Sequence, residues 1–283
     1  MIIDPSKAKA TLYLSEKRTM YIGRLTPILE QATAASTLML SIDKTLAIID
    51  KKNNRRYESR SFLIPAGSQV TIDTNDSVIA MCFLDVLGVD LATLKQRMDN
   101  VIVLDDKLWL YSGIPNEAQV IASATNIYEF TQPVETALKQ LDQWIGLPEG
   151  DYTIPADDRV TKAVELIKQS VVENISVEEI ARELNLSVPR LSQLFKQITG
   201  VPIRRYRLWH RIFITAIKMG WGLSLTEASV SSGFSDSAHF SRVFKEIGGV
   251  KPSAILNSSS TLIKMLPPER KVPSKPIHEV CEG

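Results

Sequence analysis

The feature that most constrains this chain is a degenerate internal repeat in its C-terminal half. Ser176-Val177-Glu178-Glu179-Ile180-Ala181 recurs as Ser224-Leu225-Thr226-Glu227-Ala228-Ser229, and Asn185-Leu186-Ser187 as Gly233-Phe234-Ser235. After one inserted residue, Leu191-Ser192-Gln193-Leu194-Phe195-Lys196 matches Phe240-Ser241-Arg242-Val243-Phe244-Lys245, and Gly200-Val201 matches Gly249-Val250. Each copy reads as helix, tight turn, helix. Two helix-turn-helix units in tandem imply a protein that reads two segments of DNA.

The caps set the boundaries of the first copy. Ser176 with Glu179 makes a capping box, and Val177, Ile180, Ala181 and Leu184 follow at helical spacing. Asn185 and its counterpart Gly233 are types that tolerate a left-handed turn. Ser187 caps the next helix, and Pro189 falls in its first turn, where a missing amide hydrogen costs little. Leu191, Leu194, Phe195 and Ile198 form the inward stripe, which leaves Arg190, Ser192, Gln193, Lys196 and Gln197 outside. In the second copy Phe240, Val243, Phe244 and Ile247 pack, while Ser237, His239, Ser241, Arg242 and Lys245 are free.

The run Gly233-Phe234-Ser235-Asp236-Ser237-Ala238-His239-Phe240-Ser241-Arg242-Val243-Phe244-Lys245, followed by Gly249-Val250-Lys251-Pro252, resembles the signature of the AraC/XylS family of transcription regulators. The resemblance covers roughly residues 157–257. It departs at Ala228-Ser229, at Gly248 and at Ile255-Leu256, where that family more often has a larger apolar residue, an aromatic and Tyr-Arg. It implies base contacts from Pro189, Ser192 and Gln193 in the first module, and from Ser237, Ala238, Ser241 and Arg242 in the second. Gln193 suits adenine, and Arg242 suits guanine or acts as a phosphate clamp. Pro189 and Ala238 offer only apolar contact. Arg190, Lys196, His239 and Lys245 complete the expected DNA-facing set. Ile203 to Met219 reads as one helix between the modules, about 25 Å long, which would place the recognition helices about one DNA turn apart.

Charge follows the same division. Residues 1–154 hold 15 Lys and Arg against 19 Asp and Glu, a net of −4, whereas residues 185–252 hold 10 against 3, a net of +7. Basic charge gathers where phosphate contact is expected.

The first ~110 residues alternate short apolar runs with polar turns, as in 36–42, 45–49, 61–64 and 70–72, with turns at Lys51–Arg56 and Pro65–Ser68. This predicts a β-sandwich or barrel. The family's N-terminal domains are often cupin-like barrels, and the Ile-Pro-Ala-Gly turn is similar to theirs. The expected fold is therefore α+β: an N-terminal cupin-like β-barrel with a helical appendage, then an all-α domain of two helix-turn-helix motifs joined by a long helix. Helical spacing is expected over 85–147, with a break near Val101–Gly113. Its last stripe, Val134, Leu138, Leu141 and Ile145, has a/d-like spacing; the family resemblance implies an antiparallel dimerisation helix there, and the alternative is a face packed on the barrel. The expected domains are 1–147 (sensor or dimerisation), 148–156 (linker), 157–257 (DNA binding) and 258–283 (a Ser- and Pro-rich tail without a fold of its own).

Composition excludes several chemistries. The histidines are His210, His239 and His278, so no His-ligated catalytic metal fits the barrel. Cys82 lies inside the apolar run 78–84, and with Cys281 it makes no disulfide framework or metal spacing. No catalytic residue, cofactor or metal is expected, and with no signal segment or membrane span the location expected is cytoplasmic. Expected partners are double-stranded DNA, a second copy of the chain, a small-molecule effector, and RNA polymerase if the protein activates. The alternatives are a constitutive or repressing DNA-binding protein whose N-terminal domain only dimerises, and a DNA-modifying enzyme with an appended helix-turn-helix module.

Overall fold

The computed structural model describes residues 9–15, 18–84, 86–105, 108–147, 157–171, 173, 175–256 and 260–266. The linker expected at 148–156 and the tail beyond 266 lie outside the described residues. The N-terminal strands are β1 (Ala10–Leu14), β2 (Thr19–Arg24), β3 (Ile28–Ala32), β4 (Thr37–Ser41), β5 (Leu46–Asp50), β6 (Arg55–Ser59), β7 (Ser61–Ile64), β8 (Gln69–Asp73) and β9 (Val78–Phe83). Next come α1 (Asp90–Arg97), the hairpin β10 (Asn100–Asp105) and β11 (Leu108–Ser112), α2 (Glu117–Phe130) and α3 (Val134–Ile145). The C-terminal part holds α4 (Asp158–Gln169), α5 (Val177–Glu183), α6 (Val188–Thr199), α7 (Ile203–Gly220), α8 (Leu225–Ser231), α9 (Ser237–Gly248), α10 (Pro252–Ile255) and β12 (Thr261–Met265).

The strands form two sheets, with orders β10-β11-β7-β4-β9-β2-β1-β12 and β3-β8-β5-β6. Both contribute to one apolar core, but no strand pairing among the described residues joins them edge to edge. The expected barrel is thus an open two-sheet arrangement. Apart from the β10–β11 hairpin, where Val101, Val103 and Trp109 are exposed, the larger sheet is covered on both faces, and its strands divide by the period of two. Leu12, Tyr21, Met39, Met81 and Phe62 point to the inter-sheet core. Tyr13, Met20, Ile22, Leu38, Leu40 and Cys82 point to the opposite core, where α1, α2 and α3 pack. Burial on both faces explains why 78–84 is apolar throughout. The break expected near 101–113 is the β10–β11 hairpin.

Two expectations are corrected. The stripe on α3 is not a free seam: Val134, Leu141 and Ile145 are buried, Leu138 is partly buried, and all four pack inside this chain. They cover the outer face of the larger sheet, which would otherwise stand bare. The tail is not foldless throughout either. Residues 261–265 form β12, which pairs in parallel with β1, Ala10 against Thr261 and Leu14 against Met265. Leu262 and Ile263 supply the apolar side chains, a signal hidden by the surrounding Ser and Pro.

The second module shares a core with the sheets, while the first keeps a cluster of its own around Leu191, Leu194 and Phe195. The inter-sheet cluster continues without a gap into Ile212 and Ala216 of α7, Phe240, Val243, Phe244 and Ile247 of α9, and Ile255 and Leu256. Phe83 at the end of β9 meets Trp209 with ring centroids 4.5 Å apart. Two of the three departures from the family pattern fall at this joint, since Gly248 and Ile255-Leu256 line the same small void as Leu12, Tyr21 and Phe83. Small and apolar residues there let the second module seat against the sheets.

His210 of α7 is 8% exposed, and its Nε2 has no hydrogen-bond partner. Burial, with the Lys168 charge second, pushes its pKa down to about 4. An unfolded chain binds a proton near pH 6.5 that the folded chain refuses. Stability on the order of 3 kcal/mol is therefore present above pH ~6.5 and lost as pH falls toward 4. Urea unfolding from pH 7 to 4 measures this, and His210→Phe is expected to flatten that part of the profile.

Candidate nucleic-acid interface

Each module is built by its caps. Ser176 and Glu179 form the expected capping box on α5, and Ser224 and Glu227 form the matching one on α8. Asn185 (φ 52°) and Gly233 (φ 89°) take the left-handed turn. Ser187 accepts from the Arg190 amide to start α6, with Pro189 in the first turn. On α9 the cap is Asp236, which accepts from the His239 amide at 2.6 Å. Spending its carboxylate on that amide and on the Ser235 hydroxyl holds Asp236 below the usual carboxylate range.

These caps fix which face each recognition helix shows. On α6, Leu191, Leu194 and Phe195 are buried, and Pro189, Arg190, Ser192, Gln193 and Lys196 are exposed. Arg190 Nη1 donates to Gln193 Oε1 at 3.2 Å, so these two present themselves as a pair. On α9, Ala238, Arg242 and Lys245 are exposed, and Ser237, His239 and Ser241 are half-buried. Ser241 Oγ donates to the Ser237 carbonyl at 2.8 Å. His239 stands edge-on to Phe234 at 5.5 Å, with Nδ1 3.2 Å from Ser235 Oγ. Lys245 lies near Glu30 of β3, within reach of its charge.

The helix between the modules is α7, 18 residues or about 27 Å. Of its arginines, Arg204 is exposed. Arg205 donates to the Ala32 carbonyl of β3 and pairs with Glu246. Arg207 donates to the Ile175 carbonyl ahead of α5. Both residues therefore tie the spacer to its neighbours, a role that the charge run in the sequence does not reveal.

The repeat also marks where each module meets the sheets. Gly200 (φ +80°) and Gly249 (φ +76°) close the two recognition helices at matching places. A Cβ on Gly200 would sit 3.1 Å from the Ala66 carbonyl, and one on Gly249 3.3 Å from Leu29 and Gln31. Both glycines are needed twice over, for the left-handed cap and for the close approach.

Among the described residues no group of three or more His, Cys, Asp or Glu is placed to hold a metal, and no helix is long and apolar enough to cross a membrane. Burial pushes the Cys82 thiol well up, so it stays protonated inside its core.

Comparison with known proteins agrees with this construction. Residues 180–258 match the family described as a helix-turn-helix domain. The arabinose operon regulatory protein of Escherichia coli (strain K12) is 33% identical over 105 residues, 35% of each chain. The Msm operon regulatory protein of Streptococcus mutans is 35% identical over 95 residues, 33% of this chain and 34% of that one. The similarity thus spans about a third of the length of these curated relatives. Over 86% of this chain and 98% of the other, the fold is similar to the crystal structure of ToxT from Vibrio cholerae O395, with a TM-score of 0.54 at 18% identity. A structure of wild-type ToxT from Vibrio cholerae strain SCE256 with unsaturated fatty acid bound is also similar, with a TM-score of 0.53 at 16% identity over 87% and 96% of the two chains. The C-terminal region of this chain is accordingly a DNA-binding helix-turn-helix domain of the AraC/XylS type.

Proposed function

We propose that the whole chain is a sequence-specific transcription regulator acting in the cytoplasm, and that α6 and α9 enter successive major grooves of double-stranded DNA. The observation that carries this reading is the pair of capped recognition helices. Each turns its apolar stripe inward and leaves Gln193 or Arg242 exposed on a basic surface. Lys196, Arg190 and Lys245 serve phosphates, and Pro189, Ser192, Ser237, Ala238, His239 and Ser241 lie against base edges and sugar. The regulator activates by contact with RNA polymerase, and it works as a homodimer through a surface other than the inner stripe of α3. The N-terminal half controls the modules through the shared core. The fatty acid held by the similarly folded ToxT supports a small-molecule effector as the input. No catalytic step belongs to this reading.

One observation favours a second reading, in which the N-terminal half is only a scaffold. The space between the sheets is filled by side chains such as Tyr21, Met39, Phe62 and Met81, which leaves an apolar void of about 40 Å³ at the joint. An effector has no room there.

Binding-site selection followed by titration tests the DNA reading. Affinity should fall steeply with salt as counterions are released. Gln193→Ala and Arg242→Ala should each cost ~1–3 kcal/mol of specific binding and relax preference at separate positions about one helical turn apart. Equal loss on every sequence would make that residue a phosphate contact, and salt-independent binding would remove the electrostatic argument.

A further inference from the structure

The larger sheet ends on β10, and no strand among the described residues pairs with its outer edge. The other sheet edges are guarded. Strand β6 carries Arg55, Arg56 and Glu58, β12 carries Lys264 and lies against α7, and β3 lies against α9. Residues 100–104, by contrast, read Asn-Val-Ile-Val-Leu. They hold neither charge nor proline, the usual devices that keep a strand edge from pairing. Their side chains divide by the period of two. Ile102 enters the inter-sheet core with Leu110, while Val101 and Val103 face the other way, opposite Tyr111 and Trp109 of β11. Lys95 of α1 reaches over the Tyr111 ring, 5.6 Å from its centre. The rest of this face is bare: Val101 is 52% exposed, Val103 49% and Trp109 52%.

The backbone fixes how this edge can pair. Asp99, just ahead of β10, donates its amide to the Gly113 carbonyl at 2.9 Å, on the β11 side. Amides alternate sides along a strand, so Val101 and Val103 also turn theirs toward β11. Asn100, Ile102 and Leu104 turn N–H and C=O outward. We propose that this edge pairs antiparallel with β10 of a second copy, about a two-fold axis at Ile102, which gives the homodimer of the regulator reading its surface and rests on that reading. Ile102 then exchanges both hydrogen bonds with its own counterpart, and Asn100 does so with the partner's Leu104. Val101 falls opposite the partner's Val103 at a non-hydrogen-bonded site, where Cα atoms approach to about 4.5 Å and side chains come closest. Two unbroken apolar rows result, each running from Tyr111 and Val101 of one copy to the partner's Val103 and the partner's Trp109. The occupant is a second copy because the edge is complementary to itself. The two-fold sets valine against valine, and nothing in 100–104 brings like charges together. The register shift between Val103 and Asp105 ends the regular edge there, so the contact is short. Its area belongs to the weak class, below about 1,200 Å², and the dimer is reversible.

Sedimentation of the full chain over a concentration series is expected to show a monomer in reversible equilibrium with a dimer. Val103→Lys lies on an exposed position and should leave the thermal melt unchanged. It should weaken the dimer about tenfold or more, because the ammonium must leave water against the partner's Val101. Cross-linking tests the register, in chains that also carry Cys281→Ser so that the buried Cys82 is the one native cysteine left. An equal mixture of Val101→Cys and Val103→Cys chains, oxidised with oxidised glutathione, should give a disulfide dimer with one chain of each kind, since those sites face each other within disulfide reach. Either chain alone should cross-link several-fold less. On DNA with two adjacent sites, Val103→Lys should lose cooperative occupancy and keep its affinity for a single site. A dimer indifferent to Val103→Lys, or cross-linking as strong in either chain alone as in the mixture, overturns the β10 surface and leaves the homodimer standing. A monomer at every concentration overturns both. A dimer that meets both tests in a chain with no affinity for DNA upholds the surface and overturns the regulator reading.

Discussion

Leu141→Asp is expected to unfold the N-terminal half, not to release a folded monomer. Leu141 is fully buried, in a cluster with Ala137, Trp144 and Ile145 of its own helix and with Tyr13, Met20 and Ile22 of the sheet beneath. A carboxylate there has no partner, and truncating the leucine adds a void. Together these cost about 5 kcal/mol or more, on the scale of a domain's whole stability of about 5–15 kcal/mol. Gln143→Asp, on the exposed side of the same helix, should stay within roughly 0.5 kcal/mol of the wild type. Circular dichroism melts of the two variants measure the difference. A Leu141→Asp protein that melts like the wild type but sediments at lower mass would restore the α3 stripe as a subunit interface.

The contrast explains what could be read from the chain. An amphipathic stripe reports that a helix has an inner face, but not whose interior that face meets. On α3 the spacing of Val134, Leu138, Leu141 and Ile145 fits a coiled-coil seam and an intramolecular face equally well. The modules were legible because their signals are local. The Ser176–Glu179 box, the Asn185 and Gly233 turns and the Ser187 cap each fix a boundary within a few residues, and the repeat states them twice. Four strands of the N-terminal half were legible from alternation and turns, near 37–41, 46–50, 61–64 and 69–73. Its open edges and the return of β12 to β1 were not. That pairing joins residues some 250 positions apart, and no short-range pattern encodes it. Of the candidate DNA-facing residues, the exposed ones follow from helical period alone. The partial burial of His239 against Phe234 and the closeness of Lys245 to Glu30 depend on tertiary packing.

The joint between the halves gives the other large effect. Phe83 is 8% exposed at the end of β9 and meets Trp209 of α7. Phe83→Ala should cost about 3–5 kcal/mol, the usual loss for a buried aromatic cut to alanine. The manner of unfolding should change as well. The wild type, whose second module shares the inter-sheet core, is expected to unfold in a single transition. Once this contact is gone, the sheets and the modules should melt separately, with far-ultraviolet and tryptophan signals no longer coincident. Gln31 tests the same joint from the opposite side. It is 2% exposed against the α9–α10 turn, and neither polar atom of its side chain has a partner. An unpaired buried amide costs roughly 1–3 kcal/mol, so Gln31→Met, similar in shape and apolar, should raise stability by about that much. It should also hold the second module more firmly on the sheets. If the halves are coupled as described, the two substitutions move the gap between transitions in opposite directions. Two transitions already separate in the wild type, or a Phe83→Ala protein that still melts as one unit, would show that the shared core does not bind the modules to the N-terminal half.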